Sequence, residues 1–350
     1  MSYSDLFENN KFDAFVLMGE SNRFYFTKFE TSFGAVIITR DNHNVFITDF
    51  RYETEARQHV DNFDIVVASF GEFYGKICDT LTKLGVKTVG YEDSMPVGEF
   101  NEFKAALKGF TLKSATDIID IKRAVKTDEE IGFIKKAQSI AEAALKKSIS
   151  TVKAGVTERE LMALINYNMV LMGAEKYSFE TIVAFGANSA QPHHHPSDIK
   201  LERDDVILVD MGAKYNGYCS DMTRTFCLGT PDNRLVTIYD IVKKAQEYAI
   251  AHIKAGMTCH DADALAREYI VSNGYGDKFG HSFGHGVGID IHEAPRVGSG
   301  VDIVLAPNMV ITAEPGIYIP ELGGVRIEDM LVVKEGGVED ITSYDKKFII

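Results

Sequence analysis

Between residues 12 and 113 short apolar runs, DAFVLM, GAVIIT, NVFITDF, DIVVAS and KTVGYED, alternate with stretches of helical spacing around 51–60 and 72–84. Strand-like runs separated by amphipathic helices predict an α/β layer. The pattern changes near 118–126, so residues 1–122 are expected to form a first domain and 123–350 a second. The second opens with Thr127 and Glu130, a capping box that predicts a long helix to about residue 148. Thr157 and Glu160 predict another, ending near Gly173. A strand at 181–185 follows, then a loop with His193, His194 and His195, a hairpin at 206–226, helices at 233–254 and 261–272, and strands that include a second hairpin. Helices, hairpin, helices, hairpin is the order expected of an α+β domain with an internal duplication.

The first hairpin reads VILVDMGAKYNGYCSDMTRTF. With Asn216-Gly217 as a two-residue turn, Asp210 falls opposite Thr223, and Asp221 lies two residues from Thr223 on the same strand. Both acids then share one face as diagonal neighbours, roughly 7–8 Å apart. Alone, each is more simply a strand-end residue in a solvated loop. In the second hairpin, with PELGG as a five-residue loop, Glu314 falls opposite Met330 and Glu328 is its diagonal neighbour. Between the hairpins lies GHSFGHGVGIDIHEAPR, glycine-rich around His285 and carrying His292. Two Asp, two Glu and one His form an oxygen-rich set whose four charges balance about two divalent ions. Such a set suits Mn²⁺ or Co²⁺ at least as well as Zn²⁺. A pair of ions of this kind activates water and polarises a carbonyl. The H-E-x-x-H motif is absent, because Pro295 and Arg296 follow His292 and Glu293 where a helix would have to continue.

Composition narrows the partners. With 45% hydrophobic and 25% charged residues the chain is ordinary globular protein, and its net charge of −14 disfavours both nucleic acid and anionic membranes. Cys78, Cys219, Cys227 and Cys259 are irregularly spaced without a C-x-x-C, which predicts neither a zinc knuckle nor a disulfide framework. The N-terminal stretch lacks the basic and apolar pattern of a secretory leader. A cytoplasmic protein is expected.

The stretches VDMGAKYNGYCSDMTRT, GHGVGIDIHEAPR, ITAEPGIY and GGVRIED resemble those of the pita-bread metallopeptidases, and among them the Xaa-Pro dipeptidases (prolidases) and Xaa-Pro aminopeptidases. The resemblance covers almost the whole chain and implies a creatinase-like α/β domain at 1–122 and a pita-bread catalytic domain at 123–350. It implies that Asp210 chelates one metal, that Asp221 and Glu328 bridge both, and that His285 and Glu314 complete the second. His193 and His292 would flank the scissile bond and bind substrate, and Glu314 would carry a proton. Arg326 matches the family's arginine beside the last glutamate, and Arg296 one that meets the carboxylate of a dipeptide. A homodimer acting on short proline-containing peptides is implied as well. FETSFGAVIIT and FITDFRYETEA are similar to the aminopeptidase branch, whereas the compact length and HEAPR favour the dipeptidase. Metal-free creatinase, methionine aminopeptidase and a non-enzymatic peptide-binding module are the rivals within the fold.

Overall fold

The computed structural model describes residues 3–8 and 10–350, and the chain divides into two units, Met1–Arg123 and Ala124–Ile350. The first unit runs β1 (Ala14–Leu17), α1 (Glu20–Thr27), β2 (Ala35–Thr39), β3 (Val45–Thr48), α2 (Glu53–His59), β4 (Asp64–Val67), α3 (Phe73–Lys83), β5 (Thr88–Tyr91), α4 (Val97–Ala106), β6 (Thr111–Ser114) and α5 (Thr116–Ala124). Its sheet has the order β4-β3-β2-β1-β5-β6, antiparallel at β1–β2 and β2–β3 and parallel elsewhere. Phe15, Leu17, Val36, Ile38 and Phe46 enter one core, while Ala14, Val16, Ala35, Ile37 and Val45 enter another. A sheet covered on both faces needs continuous apolar runs, which is why the strands stood out. Asp49 accepts from the Arg51 backbone N–H at 2.9 Å and pairs with its guanidinium at 2.7 Å, at the junction between β3 and α2.

The second unit continues with α6 (Asp128–Ile149), α7 (Glu158–Leu171), β7 (Lys176–Tyr177), β8 (Ile182–Phe185), β9 (Val206–Met211), β10 (Ala213–Tyr215), β11 (Tyr218–Cys219) and β12 (Met222–Cys227). Then come α8 (Asn233–His252), α9 (Cys259–Ser272), β13 (Gly284–Gly286), β14 (Glu293–Val297), β15 (Val310–Ala313), β16 (Gly316–Ile319), β17 (Gly323–Arg326), β18 (Asp329–Lys334) and β19 (Gly337–Asp340). Both capping boxes form: Thr127 and Thr157 accept from the backbone N–H groups of Glu130 and Glu160, whose side chains accept in return. Helices α6 and α7 share a core with β9 and β12, and α8 and α9 share another with β15 and β18. Each helix pair thus covers one face of one sheet and leaves the other face free for chemistry.

The first hairpin has the expected register, with Thr223 opposite Asp210 and Met222 opposite Met211. Asn216 and Gly217 take φ of 47° and 76°, the left-handed pair of a type I′ turn. The ladder is interrupted at Gly212, where a Cβ would lie 1.8 Å from the Ser220 carbonyl oxygen. In the second hairpin the expected pairing of Glu314 with Met330 does not occur. Thr312 faces Met330, Gly316 faces Arg326, and Ile319 faces Gly323, so the loop is the three residues Pro320, Glu321 and Leu322. Glu321 takes the left-handed φ of 68°, while Gly324 is a strand residue whose Cβ would meet the Ser189 carbonyl at 2.3 Å. Gly324 serves close packing here, whereas Gly323 is needed for its φ of 138°. The same register continued by one residue sets Glu314 directly across from Glu328, not diagonal to it.

Candidate metal centre

Strand alternation decides which way the acids face. On β9 Val209 and Met211 enter the helix-covered core, as do Met222 and Phe226 on β12, so Asp210, Asp221 and Thr223 occupy the opposite face. On β15 and β18 Ile311, Ala313, Leu331 and Val333 do the same, which puts Thr312, Glu314, Glu328 and Met330 on the other side. The free faces of the two hairpins meet directly. Glu328 N–H donates to the Thr223 carbonyl at 3.1 Å, and Thr225 Oγ1 donates to the Arg326 carbonyl at 2.8 Å.

Ligating atoms of Asp221, His285 and Glu328 lie within 4.8 Å of one another. His285 Nε2 is 3.4 Å from Glu314 Oε1 and 3.5 Å from Asp221 Oδ2. Asp210 joins through Arg326, whose Nη2 donates to its Oδ2 at 2.6 Å and whose Nε donates to Thr223 Oγ1 at 3.0 Å. Two threonines steady the glutamates: Thr223 Oγ1 donates to Glu328 Oε2 at 2.7 Å, and Thr312 Oγ1 to Glu314 Oε1 at 3.1 Å.

The electrostatics are those of a site built for cations. Burial, then the charges of Glu328, Asp210 and Glu314, push Asp221 well above the usual carboxylate range. Glu328 is raised for the same reasons, and burial raises Glu314 to about 8. Burial lowers His285 to about 4, so its ring is neutral. Because Nδ1 lies 3.0 Å from the Gly286 carbonyl, which can only accept, the proton is on Nδ1. Nε2 therefore turns a lone pair toward carboxyl oxygens, an arrangement that needs a proton or a metal cation between them. Asp210 Oδ1 and Asp221 Oδ1 are buried and accept no hydrogen bond. Acid oxygens without donors beside a lone-pair nitrogen fit a divalent metal.

The other expected residues border this centre. His292 is exposed, with its ring 4.3 Å from that of His285. His193 is exposed on its loop, near enough that its charge opposes protonation of His281 and His292. Arg296 sits opposite His285 on the next strand, exposed and held by Ser282 Oγ at 3.0 Å. Sequence reasoning passed over His281 and Tyr318. His281 Nε2 lies 3.0 Å from Tyr318 Oη, and that hydroxyl accepts from Arg326 Nη1 at 2.9 Å. Thr223 and Thr312 were legible as i±2 neighbours of acids on the same strand face; His281 and Tyr318 had no comparable signal.

Comparison with known proteins agrees with this geometry. Residues 132–335 match the model of metallopeptidase family M24, and residues 3–125 match the creatinase/prolidase N-terminal domain. The chain belongs to metallopeptidase family M24. It has that family's pita-bread catalytic domain behind a creatinase-type N-terminal domain. It is 37% identical to an Xaa-Pro dipeptidase of Pyrococcus horikoshii, over 99% of this chain and 97% of the relative. Among solved structures it is similar to an Xaa-Pro dipeptidase from Bacillus anthracis, with a TM-score of 0.93 and 40% identity over 97% of this chain and 95% of the other. An X-Pro aminopeptidase from Thermotoga maritima matches at a TM-score of 0.89 and 38% identity, covering 97% of this chain and 98% of that one. An M24 chain is a peptidase, which excludes the non-enzymatic binding module. Among the described residues no helix is long and apolar enough to cross a membrane.

Proposed function

We propose that the chain is an Xaa-Pro dipeptidase, a metal-dependent exopeptidase that cleaves the bond between an N-terminal residue and proline. The observation that carries this reading is the neutral His285, its Nε2 lone pair aimed at Asp221 and Glu314 inside a buried acid cluster. Asp210, Asp221, His285, Glu314 and Glu328 would hold about two divalent ions, Mn²⁺ above Co²⁺ or Zn²⁺ by the hardness of the donors. When bound, the ions supply Lewis acidity and a water acidic enough to ionise near neutral pH.

The protein's own groups do the rest. Glu314 passes the proton of the attacking water to the departing proline nitrogen. His193 and His292, exposed beside the cluster, grip the peptide on either side of the scissile bond and donate to the oxygen that gains charge. Arg326 holds Asp210 in place through its 2.6 Å contact. Arg296, exposed and opposite His285, offers a two-pronged partner for the free carboxylate of a dipeptide. Proline's tertiary amide has no N–H, so recognition must rest on such end groups and on the ring. The four cysteines are unpaired, which supports a reducing cytoplasm, and family resemblance supports a homodimer without nucleic-acid or membrane partners.

The likeness to the Thermotoga enzyme favours a second reading, an Xaa-Pro aminopeptidase that acts on longer peptides. The two separate in one assay, Leu-Pro against Leu-Pro-Gly with Mn²⁺-loaded enzyme. Faster turnover of Leu-Pro supports the dipeptidase. Turnover of the tripeptide with little of the dipeptide establishes the aminopeptidase instead.

A further inference from the structure

His193 stands on an exposed loop, a poor platform for a side chain that must meet a substrate within a few tenths of an ångström. The loop, however, is not free. Beneath it lies Glu158, the first residue of α7, with 0% of its side chain exposed. Its Oε1 accepts from the Phe185 N–H at 2.8 Å and from Asn188 Nδ2 at 2.9 Å. Its Oε2 accepts from His194 Nε2 at 2.8 Å, Ser197 N–H at 2.9 Å and Ser197 Oγ at 2.6 Å. A carboxylate offers about four lone-pair sites, so this one is saturated with donors. The donors all come from the segment that holds His193, on both sides of it.

Other contacts tighten the same segment. Glu158 N–H donates to the Ile199 carbonyl and Arg159 N–H to that of Ser197. On its far side Ser189 Oγ accepts from Gly324 N–H at 2.8 Å, which ties the loop to β17, the strand of Arg326. His194 thus points inward to the carboxylate while its neighbour His193 points outward. Only an ionised carboxylate can take all of these donors, because an amide at this position would present N–H₂ to one group of them.

We propose that Glu158 is a positioning residue for the peptidase reaction: by gathering Phe185, Asn188, His194 and Ser197 it fixes the loop so that His193 projects over the acid cluster. This rests on the role given to His193 under Proposed function. The buried carboxylate acts through His193 and never meets substrate.

A double-mutant cycle tests it, with Leu-Pro hydrolysis and Mn²⁺ stoichiometry measured for wild type, Glu158→Gln, His193→Ala and the double variant. Glu158→Gln is expected to lower kcat/KM by about tenfold, as loss of an orienting partner does, with Mn²⁺ stoichiometry unchanged. Added to His193→Ala, it should change kcat/KM by less than about twofold, because the two act as a unit. Equal losses in both backgrounds, or altered metal content, overturn the proposal and leave Glu158 a fold-stabilising residue. If His193→Ala is as active as wild type, the role of His193 itself fails and takes this inference with it. Should Glu158→Gln not fold, Ser197→Ala decides the matter: it removes one donor, and a loss that vanishes in the His193→Ala background supports the proposal whereas a persisting loss overturns it.

Discussion

Replacing Asp221 by asparagine should make the metal-free protein more stable and the metal-loaded protein less so. Asp221 is 4% exposed, its Oδ1 accepts no hydrogen bond, and its Oδ2 faces the unprotonated Nε2 of His285 at 3.5 Å. Glu328, Asp210 and Glu314 add to the cost of ionising it, and Arg326 offsets only part. Asparagine keeps the size, needs no ionisation or protonation in this buried cluster and adds a donor that a neighbouring carboxylate can accept. Relief of a buried, unmatched acceptor is worth about 1–3 kcal/mol. At about 2–4 °C per kcal/mol for a unit of this size, the metal-free variant should melt roughly 2–12 °C above metal-free wild type. With Mn²⁺ the order reverses, because wild type at a thousand times Kd gains about 4.1 kcal/mol that the variant largely forgoes. Thermal unfolding followed by circular dichroism, after chelation and again with Mn²⁺, measures both. A metal-free Asp221→Asn protein that melts below wild type refutes the reasoning, since Asp221 would then be an ordinary satisfied side chain.

Gly212→Ala places a Cβ 1.8 Å from the Ser220 carbonyl oxygen, so the hairpin must open where Asp221 enters it; an overpacking loss of about 1–3 kcal/mol is expected in denaturant titration, together with weaker Mn²⁺ binding. Lys126 and Glu293 form an ion pair at 2.8 Å with 2% and 8% of their side chains exposed. Lys126→Met removes the cation of this buried pair and should lower stability, by up to about 3–5 kcal/mol, again read by denaturant titration. Hydrogen bonds from Asn188, Ser197, His194 and Phe185 outweigh burial and hold Glu158 below its ordinary value of 4.5. A lowered carboxylate pKa contributes stability that is fully present above 4.5 and lost as pH falls through the folded value. The stability gap between wild type and Glu158→Gln should therefore be constant near neutrality and narrow below pH 4.5 in acid titrations.

How much of this was legible in the chain depended on how far each signal reached. Asn216-Gly217 is a turn with one register, so the pairing of Asp210 with Thr223 followed from local chemistry. PELGG gave no such constraint, because a glycine pair serves a loop or a tightly packed strand equally well. Gly324 lies in the strand on account of Ser189, more than a hundred residues away in sequence. Both capping boxes were readable for the same local reason as the first turn, but α1, α4, α5 and β6 in the first unit are short and were not anticipated, α1 and α4 opening without a side-chain cap. Glu158 is an instructive omission. Beside Thr157 and Glu160 it reads as a solvated acid in the first turn of a helix, and nothing nearby shows that residues 185–197 will fold over it. The Asp, His and Glu of the metal centre announced themselves by residue type and the threonines by their spacing from those acids, whereas His281 and Tyr318 matter only through distances that one sequence does not encode.

The central claim is that Asp210, Asp221, His285, Glu314 and Glu328 together form a binding site for divalent metal, and equilibrium dialysis of metal-free protein against Mn²⁺ tests it most directly. Wild type should bind about two ions per chain and Glu328→Gln no more than about one, since a shared carboxylate serves both. Binding by neither protein, or equal binding by both, would contradict the account.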